Sequence, residues 1–283
     1  MIRLTNAFLT ATIAERGAEL ISVRNSAGYE YIWQADPAFW AKHCPALFPV
    51  CGRLLNFAYT FAGKRYEMGN HGFAQRKIFT ARQMSDTHAV FTLREDEETL
   101  AEYPFPFLFT IEYRLEGDRL SINTSVHNPA DSPLYCNFGS HEAYAAALPF
   151  TDWSVRFEKR ENLVLREQVG GYLSGKTIPY AQNVRELHLS HAMFENDSLL
   201  FEPLLSRKIT LCHKGKEVVE VSFAPFDNLL LWTKVGAPYL CIEPWNGIPD
   251  TADADGFLPH KAGILTIDGG KTLSMEHSLR FFS

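Results

Sequence analysis

Phe109-Thr110-Ile111-Glu112-Tyr113-Arg114-Leu115-Glu116-Gly117-Asp118-Arg119-Leu120-Ser121-Ile122-Asn123-Thr124-Ser125-Val126 alternates apolar and polar side chains, pauses at Gly117-Asp118, and alternates again. A period of two places Phe109, Ile111, Tyr113 and Leu115 on one face of a strand, and Leu120, Ile122, Thr124 and Val126 on one face of the next. Two half-buried strands joined by a short Gly-Asp turn predict a β-hairpin. The pattern recurs outward from there. Val219, Val221 and Phe223 alternate with Glu220 and Ser222, and Met1 to Asn6 reads as a first strand. The β-branched residues of Leu20-Ile21-Ser22-Val23 favour a strand. That segment turns at Asn25-Ser26-Ala27-Gly28 and returns through Tyr29–Trp33, a second hairpin. Helical periodicity is scarce. Pro37–Lys42, with Asp36 as N-cap, and Glu97–Glu102, stopped by Pro104, predict two short helices. The acidic run Glu95-Asp96-Glu97-Glu98 reads as a solvated turn. The stretch from Glu161 to Ser190, with Gly170-Gly171, Gly175 and Pro179, reads as loops and short strands. No linker or repeat divides the chain. The expectation is one all-β domain over residues 1–283, a large antiparallel sandwich with few short helices.

Composition narrows the function. The chain has 283 residues, 46% hydrophobic and 21% charged, and so can bury a sizeable core. A net charge of −6 argues against general nucleic-acid binding. No apolar run approaches the roughly 20 residues that cross a bilayer, and the N-terminus lacks a secretory apolar core. A cytoplasmic protein without nucleic-acid or membrane partners is the default reading. The five cysteines, Cys44, Cys51, Cys136, Cys212 and Cys241, are scattered and odd in number. They read as reduced and inert rather than as a disulfide or zinc framework. The histidines show no metal-ligand spacing: His188-x-x-His191 has no third candidate nearby, and His88 and His127 fall on outward positions of strands. No phosphate-binding glycine motif and no Gly-x-Ser-x-Gly elbow occurs.

Four segments combine ionisable groups with turn residues. In Cys241-Ile242-Glu243-Pro244-Trp245-Asn246-Gly247 an apolar strand delivers one carboxylate. Pro244 cannot donate to a ladder, so the strand is expected to end there. A carboxylate held among apolar groups has its pKa raised toward the range of a general base; a turn cap or an arginine partner is an equal alternative. In Phe48-Pro49-Val50-Cys51-Gly52-Arg53, with Asn56 beyond, the guanidinium offers paired donors or joins a structural ion pair. In Gly69-Asn70-His71-Gly72-Phe73-Ala74, two glycines present an imidazole that either binds a ligand or braces its own loop. In Asn137-Phe138-Gly139-Ser140-His141-Glu142-Ala143-Tyr144, His141 is a general-acid candidate or a hydrogen-bonded loop histidine.

Taken in order, these segments resemble the aldose 1-epimerase (galactose mutarotase-like) superfamily, most closely its bacterial lactose-operon-associated branch. Phe194-Glu195-Asn196-Asp197 and the closing stretch through Leu273-Ser274-Met275-Glu276 extend the likeness over nearly the whole chain. The resemblance implies a β-supersandwich that interconverts the α and β anomers of a free monosaccharide of the galactose or glucose class, with no cofactor and no metal. It implies Glu243 as general base and His141 as general acid, with Arg53, His71 and Asp197 orienting the sugar. Phe73, Tyr144 or Trp245 would cover the apolar face of the ring, Trp245 above all. One departure stands out: Glu142 replaces a proline that often follows the family's histidine. Its carboxylate either raises the pKa of His141 or points to solvent. Three rivals remain. A glycosidase would pair Glu243 with Glu142 or Asp197. A sensor would bind sugar without turning it over. A hexose 6-phosphate epimerase would recruit Arg76, Lys77 or Lys234.

Overall fold

The computed structural model describes residues 1–283, which form five antiparallel sheets. The Leu108–Glu116 and Arg119–His127 strands pair in continuous register from Leu108 opposite His127 to Glu116 opposite Arg119, as the alternation predicts. They lie inside a nine-stranded sheet. Its order runs from Tyr172–His188 at one edge through Trp153–Val169, Lys208–His213, Lys216–Ser222, Thr272–Phe281, Arg119–His127, Leu108–Glu116 and His88–Arg94 to Thr80–Ser85. A four-stranded sheet is built from Glu142–Ala145, Tyr239–Trp245, Asn228–Trp232 and Leu199–Leu200. A three-stranded sheet and two paired ribbons complete the set. A cluster of 62 buried apolar residues draws on all five. The fold is a large antiparallel β-sandwich with few short helices, as the alternation predicts.

Several local expectations need correction. Leu20–Asn25 pairs with Leu9–Ile13, not chiefly with 29–33. The Asn25–Gly28 turn forms, but the returning chain touches the strand only around Arg24 and Glu30 and then passes to Tyr144. The Glu30 carboxylate takes the amides of Val23 and Ile32, replacing ladder bonds with side-chain ones. Residues 37–42 form no helix. Asp36 caps a single turn by accepting from Ala38 N–H, and the chain then runs irregularly through Trp40. The Glu97–Glu102 helix is present, and the acidic run is its capped start rather than a free turn. Asp96 accepts from Thr99 N–H and, with Glu98, holds the Lys77 ammonium.

Apart from the Gly170-Gly171 turn and residues 189–190, the stretch 161–190 belongs to two 17-residue strands, Trp153–Val169 and Tyr172–His188. Gly170-Gly171 is their turn. Gly175 and Pro179 sit within the edge strand, where a proline needs no outer partner and register shifts absorb the irregularity.

The strand ending at Trp245 does not stop at Pro244. Ser140 N–H donates to the Pro244 carbonyl, and proline has no N–H to return. The Trp245 indole Nε1–H donates to the Ser140 carbonyl instead, at 3.1 Å. A side-chain donor thus replaces the missing ladder bond and lets the proline lie within the strand.

Candidate active site

Alternation within the four-stranded sheet decides which residues face the site. In Tyr239–Trp245 all seven residues are buried, but on two different faces. Leu240 and Ile242 enter the main core. Tyr239, Cys241, Glu243 and Trp245 therefore share the opposite face. On the neighbouring strand, Leu230 pairs with Glu243, and Trp232 lies on the same face. Glu142 pairs with Ile242 on the other side, and one further step of that register brings His141 opposite Glu243. His141, Leu230, Trp232, Glu243 and Trp245 floor a cavity of about 390 Å³.

Glu243 is 1% exposed and His141 7%. A carboxylate oxygen of Glu243 lies 3.3 Å from His141 Nε2. Burial pushes the Glu243 carboxyl well up, and the charges of Glu142 and Asp197 add to it. Burial pushes His141 well down, helped by His71 and Lys42. The expected arginine partner or turn-cap role for Glu243 is not what forms. The Trp40 ring stacks on the His141 ring, centroids 5.0 Å apart and planes 24° apart, and Trp232 meets it edge-on at 5.8 Å.

His71 reaches the cavity from a left-handed loop position, φ 63°. Its neighbour Gly72 is required there: a Cβ would come within 2.2 Å of the Phe48 carbonyl oxygen. Gly52 N–H donates to His71 Nδ1 at 3.1 Å, which leaves the ring proton on Nε2. Burial, with Lys42 nearby, lowers this imidazole to about 3, so it is a neutral hydrogen-bond donor. Its ring meets the rings of His141 and Trp245 edge-on, at 5.6 and 5.2 Å.

Arg53 also lines the cavity. It has no carboxylate partner, and its Nη1 donates to Gly170 O at the tip of the long hairpin. The guanidinium lies between the rings of Phe57 and Tyr172. Its main chain is fixed because Asp250 N–H donates to the Arg53 carbonyl, while the Asp250 carboxylate takes Leu55 N–H and the buried Lys261 ammonium. Asp197 and Trp245 complete the wall.

Of the residues singled out from sequence, Arg53, His71, His141, Asp197, Glu243 and Trp245 share this cavity. Phe73 and Tyr144 do not. Both are fully buried in the main core. Tyr144 is one strand position out of phase with His141 and Ala143, and Phe73 packs against Phe48 and Phe107. Glu142 follows neither expected path. It is buried on the core face, where its carboxylate engages Ser140 Oγ at 2.8 Å and His277 Nε2 at 2.9 Å. Arg76, Lys77 and Lys234 lie elsewhere, holding Glu102, the Asp96–Glu98 carboxylates and the carbonyls of Ala38 and Phe39. Sequence reasoning missed Trp40, Lys42, Gln75, Gln168 and Trp232 in the wall. Trp232 was hidden because Leu229-Leu230-Leu231-Trp232 is apolar on both faces.

All five cysteines are free and buried, and burial pushes each thiol up. One has a neighbourhood that sequence spacing does not reveal. Ligand-type atoms of Cys241, His141 and Glu243 lie within 4.8 Å of one another. No helix is long and apolar enough to cross a membrane.

The antiparallel sandwich has the fold of the galactose mutarotase-like proteins. The sequence profile of the aldose 1-epimerase family matches residues 1–256, and the chain belongs to that family. It is 30% identical to a galactose mutarotase related enzyme from Lactobacillus acidophilus, whose crystal structure superposes with a TM-score of 0.95 over 100% of this chain and 97% of that one. A galactose mutarotase-like protein from Lactobacillus casei is 29% identical, with a TM-score of 0.93 and full coverage of both chains. The chromosomal protein LacX of Lactococcus lactis subsp. lactis is 28% identical over 288 residues, 95% of this chain and 96% of LacX.

Proposed function

We propose that the protein is an aldose 1-epimerase that interconverts the α and β anomers of a free aldohexose. The observation that carries this reading is the buried pair of Glu243 and His141, 3.3 Å apart and facing one cavity. Changing the anomeric hand requires opening a hemiacetal. One group takes the proton of the C1 hydroxyl while another protonates the ring oxygen. Both oxygens are bonded to C1, so a base and an acid only a few ångströms apart can serve them together. Rotation about C1–C2 exposes the other face of the aldehyde, and reclosure reverses the roles. Glu243 is the base and His141 the acid. The neutral His71 Nε2–H, the Arg53 guanidinium and Asp197 orient hydroxyls, and Trp245, Trp40 and Trp232 cover apolar ring surface. No net redox change or group transfer occurs. General acid–base assistance of this kind contributes about 10²–10⁴-fold per group.

A glycosidase with Glu142 as second carboxylate is disfavoured because Glu142 lies on the core face with His277. A hexose 6-phosphate substrate has one observation in its favour. Lys42 lines the cavity with only Gln75 Oε1 on its ammonium and no carboxylate partner. Polarimetry on freshly dissolved α-D-glucose, α-D-galactose and the corresponding 6-phosphates tests both readings. Faster mutarotation of the free sugars supports the first. Acceleration confined to the phosphates supports the second. Saturable binding without acceleration of any of them would mark a sensor.

A further inference from the structure

We propose that His141, Cys241 and Glu243 form a site for a thiophilic divalent cation, best matched by Zn²⁺, and that its occupation reversibly blocks the cavity. Strand register is the cause. Cys241 and Glu243 are two residues apart on one face, and His141 stands opposite Glu243 on the adjoining strand. Three different ligand types therefore converge from segments 100 residues apart in sequence, where no motif spacing reveals them.

The geometry suits a tetrahedral ion. Zinc bonds of about 2.0–2.2 Å to nitrogen and oxygen place two ligands about 3.3–3.4 Å apart at a tetrahedral angle. The Glu243 oxygen and His141 Nε2 are 3.3 Å apart. The three ligand atoms fall within 4.8 Å of one another, so the thiol needs a shift on the order of 1 Å to reach a bond of about 2.3 Å. Glu243 Oε2 is buried and without a hydrogen-bond partner. A nitrogen, a thiolate and one carboxylate favour zinc-like ions over magnesium or calcium, which take six or more oxygens. Three protein ligands leave a fourth position on the ion, and two of those ligands, His141 and Glu243, line the cavity. Binding converts the Cys241 thiol to a thiolate and releases its proton to solvent, so affinity rises with pH. It also occupies the lone pairs with which Glu243 and His141 would exchange protons. The blocking consequence rests on the epimerase reading; the site itself does not.

Cobalt(II) titration of the full-length protein tests the site by absorbance. The expected result is saturation at a single equivalent, with intense tetrahedral visible bands and a near-ultraviolet thiolate-to-cobalt band that Zn²⁺ displaces. In Cys241→Ser and Cys241→Ala that near-ultraviolet band should vanish and affinity fall by about 100-fold or more, beyond what loss of an outer partner costs. Absence of the band in the wild-type protein overturns the proposal, whatever the variants do. So does its persistence in folded Cys241→Ser. In the mutarotation assay Zn²⁺ should inhibit the wild type, chelator should restore it, and the variants should resist by the same factor relative to their own metal-free rates. An enzyme indifferent to saturating Zn²⁺ overturns the blocking claim. A protein that never accelerates mutarotation fails the epimerase reading while the cobalt spectrum still decides the site.

Discussion

Glu243 is expensive to keep and informative for that reason. Its carboxyl is raised by burial, and His141 beside it is lowered by burial. Between those two limits the pair retains one shared proton, and its two titrations belong to the pair rather than to either residue. In that one-proton form the resting proton sits on the raised carboxyl, and its transfer from Glu243 to His141 gives the reactive arrangement, with Glu243 as base and His141 as acid. Catalysed mutarotation, measured against buffer across pH, should therefore follow a bell. Its acid limb should lie below the ordinary imidazole range and its alkaline limb above the ordinary carboxylate range. A profile tracking an unperturbed histidine would contradict this. The same burial has a stability sign. A carboxyl whose folded pKa is raised contributes stability that is present below its unfolded value and lost as pH rises through the folded value. Glu243→Gln should therefore raise thermal stability at neutral pH, by roughly 0.5–2 kcal/mol, the size of a common single stabilising replacement, while mutarotation falls by about 10²–10⁴-fold. Calorimetry at pH 7 and at pH 4 checks the sign, since the gain should shrink on acidification.

The strands and loops that carry these residues depend on close approaches. A Cβ on Gly139 would lie 2.9 Å from the Pro244 carbonyl and 2.8 Å from the Trp245 ring. Gly139→Ala should displace the indole that caps Ser140 O and cost about 1–3 kcal/mol, as overpacking of a tight site does; denaturant midpoints measure it. The 36–45 segment brings the Trp40 ring, with Lys42 and Pro45, to the cavity. His141 Nδ1 is buried without a hydrogen-bond partner, so ring contacts orient the imidazole, Trp40 stacked on it and Trp232 and His71 edge-on. Trp40→Leu should lower kcat more than it raises KM and shift the acid limb of the pH profile. Trp40→Phe should largely restore both. An unchanged pH profile in Trp40→Leu would remove that role. These elements also mark how far the sequence could be read. Alternation found the 108–127 hairpin because each face has its own polarity. It failed at 161–190, where glycine and proline belong to a long, irregular edge strand rather than to loops. It failed at Pro244, where a distant indole supplies the missing donor. The segments bearing His71, His141 and Glu243 were legible because turn residues flank an ionisable group. Tyr144 was misplaced because an odd number of steps along the strand from His141 turns a side chain to the other face, and Phe73 because the turn after His71-Gly72 carries it into the main core.

A core shared by all five sheets ties the chain together. We expect residues 1–283 to behave as one domain, with a single heat-absorption transition whose calorimetric and van't Hoff enthalpies agree. Two resolved transitions would contradict this. The sandwich class was open to sequence reasoning because strand periodicity survives without knowledge of pairing. Sheet order and the convergence of residues 53, 71, 141, 197 and 243 were not, since both depend on contacts between distant segments. We propose that at this convergence a buried carboxylate and imidazole act together on one hemiacetal carbon. Magnetisation exchange between the α and β anomeric protons of galactose and glucose, followed by NMR at equilibrium, tests it most directly. The account predicts exchange far above the buffer rate with wild-type protein, and loss of most of that excess in Glu243→Gln with sugar affinity retained. Exchange at the buffer rate with the wild type, or undiminished in Glu243→Gln, would contradict it.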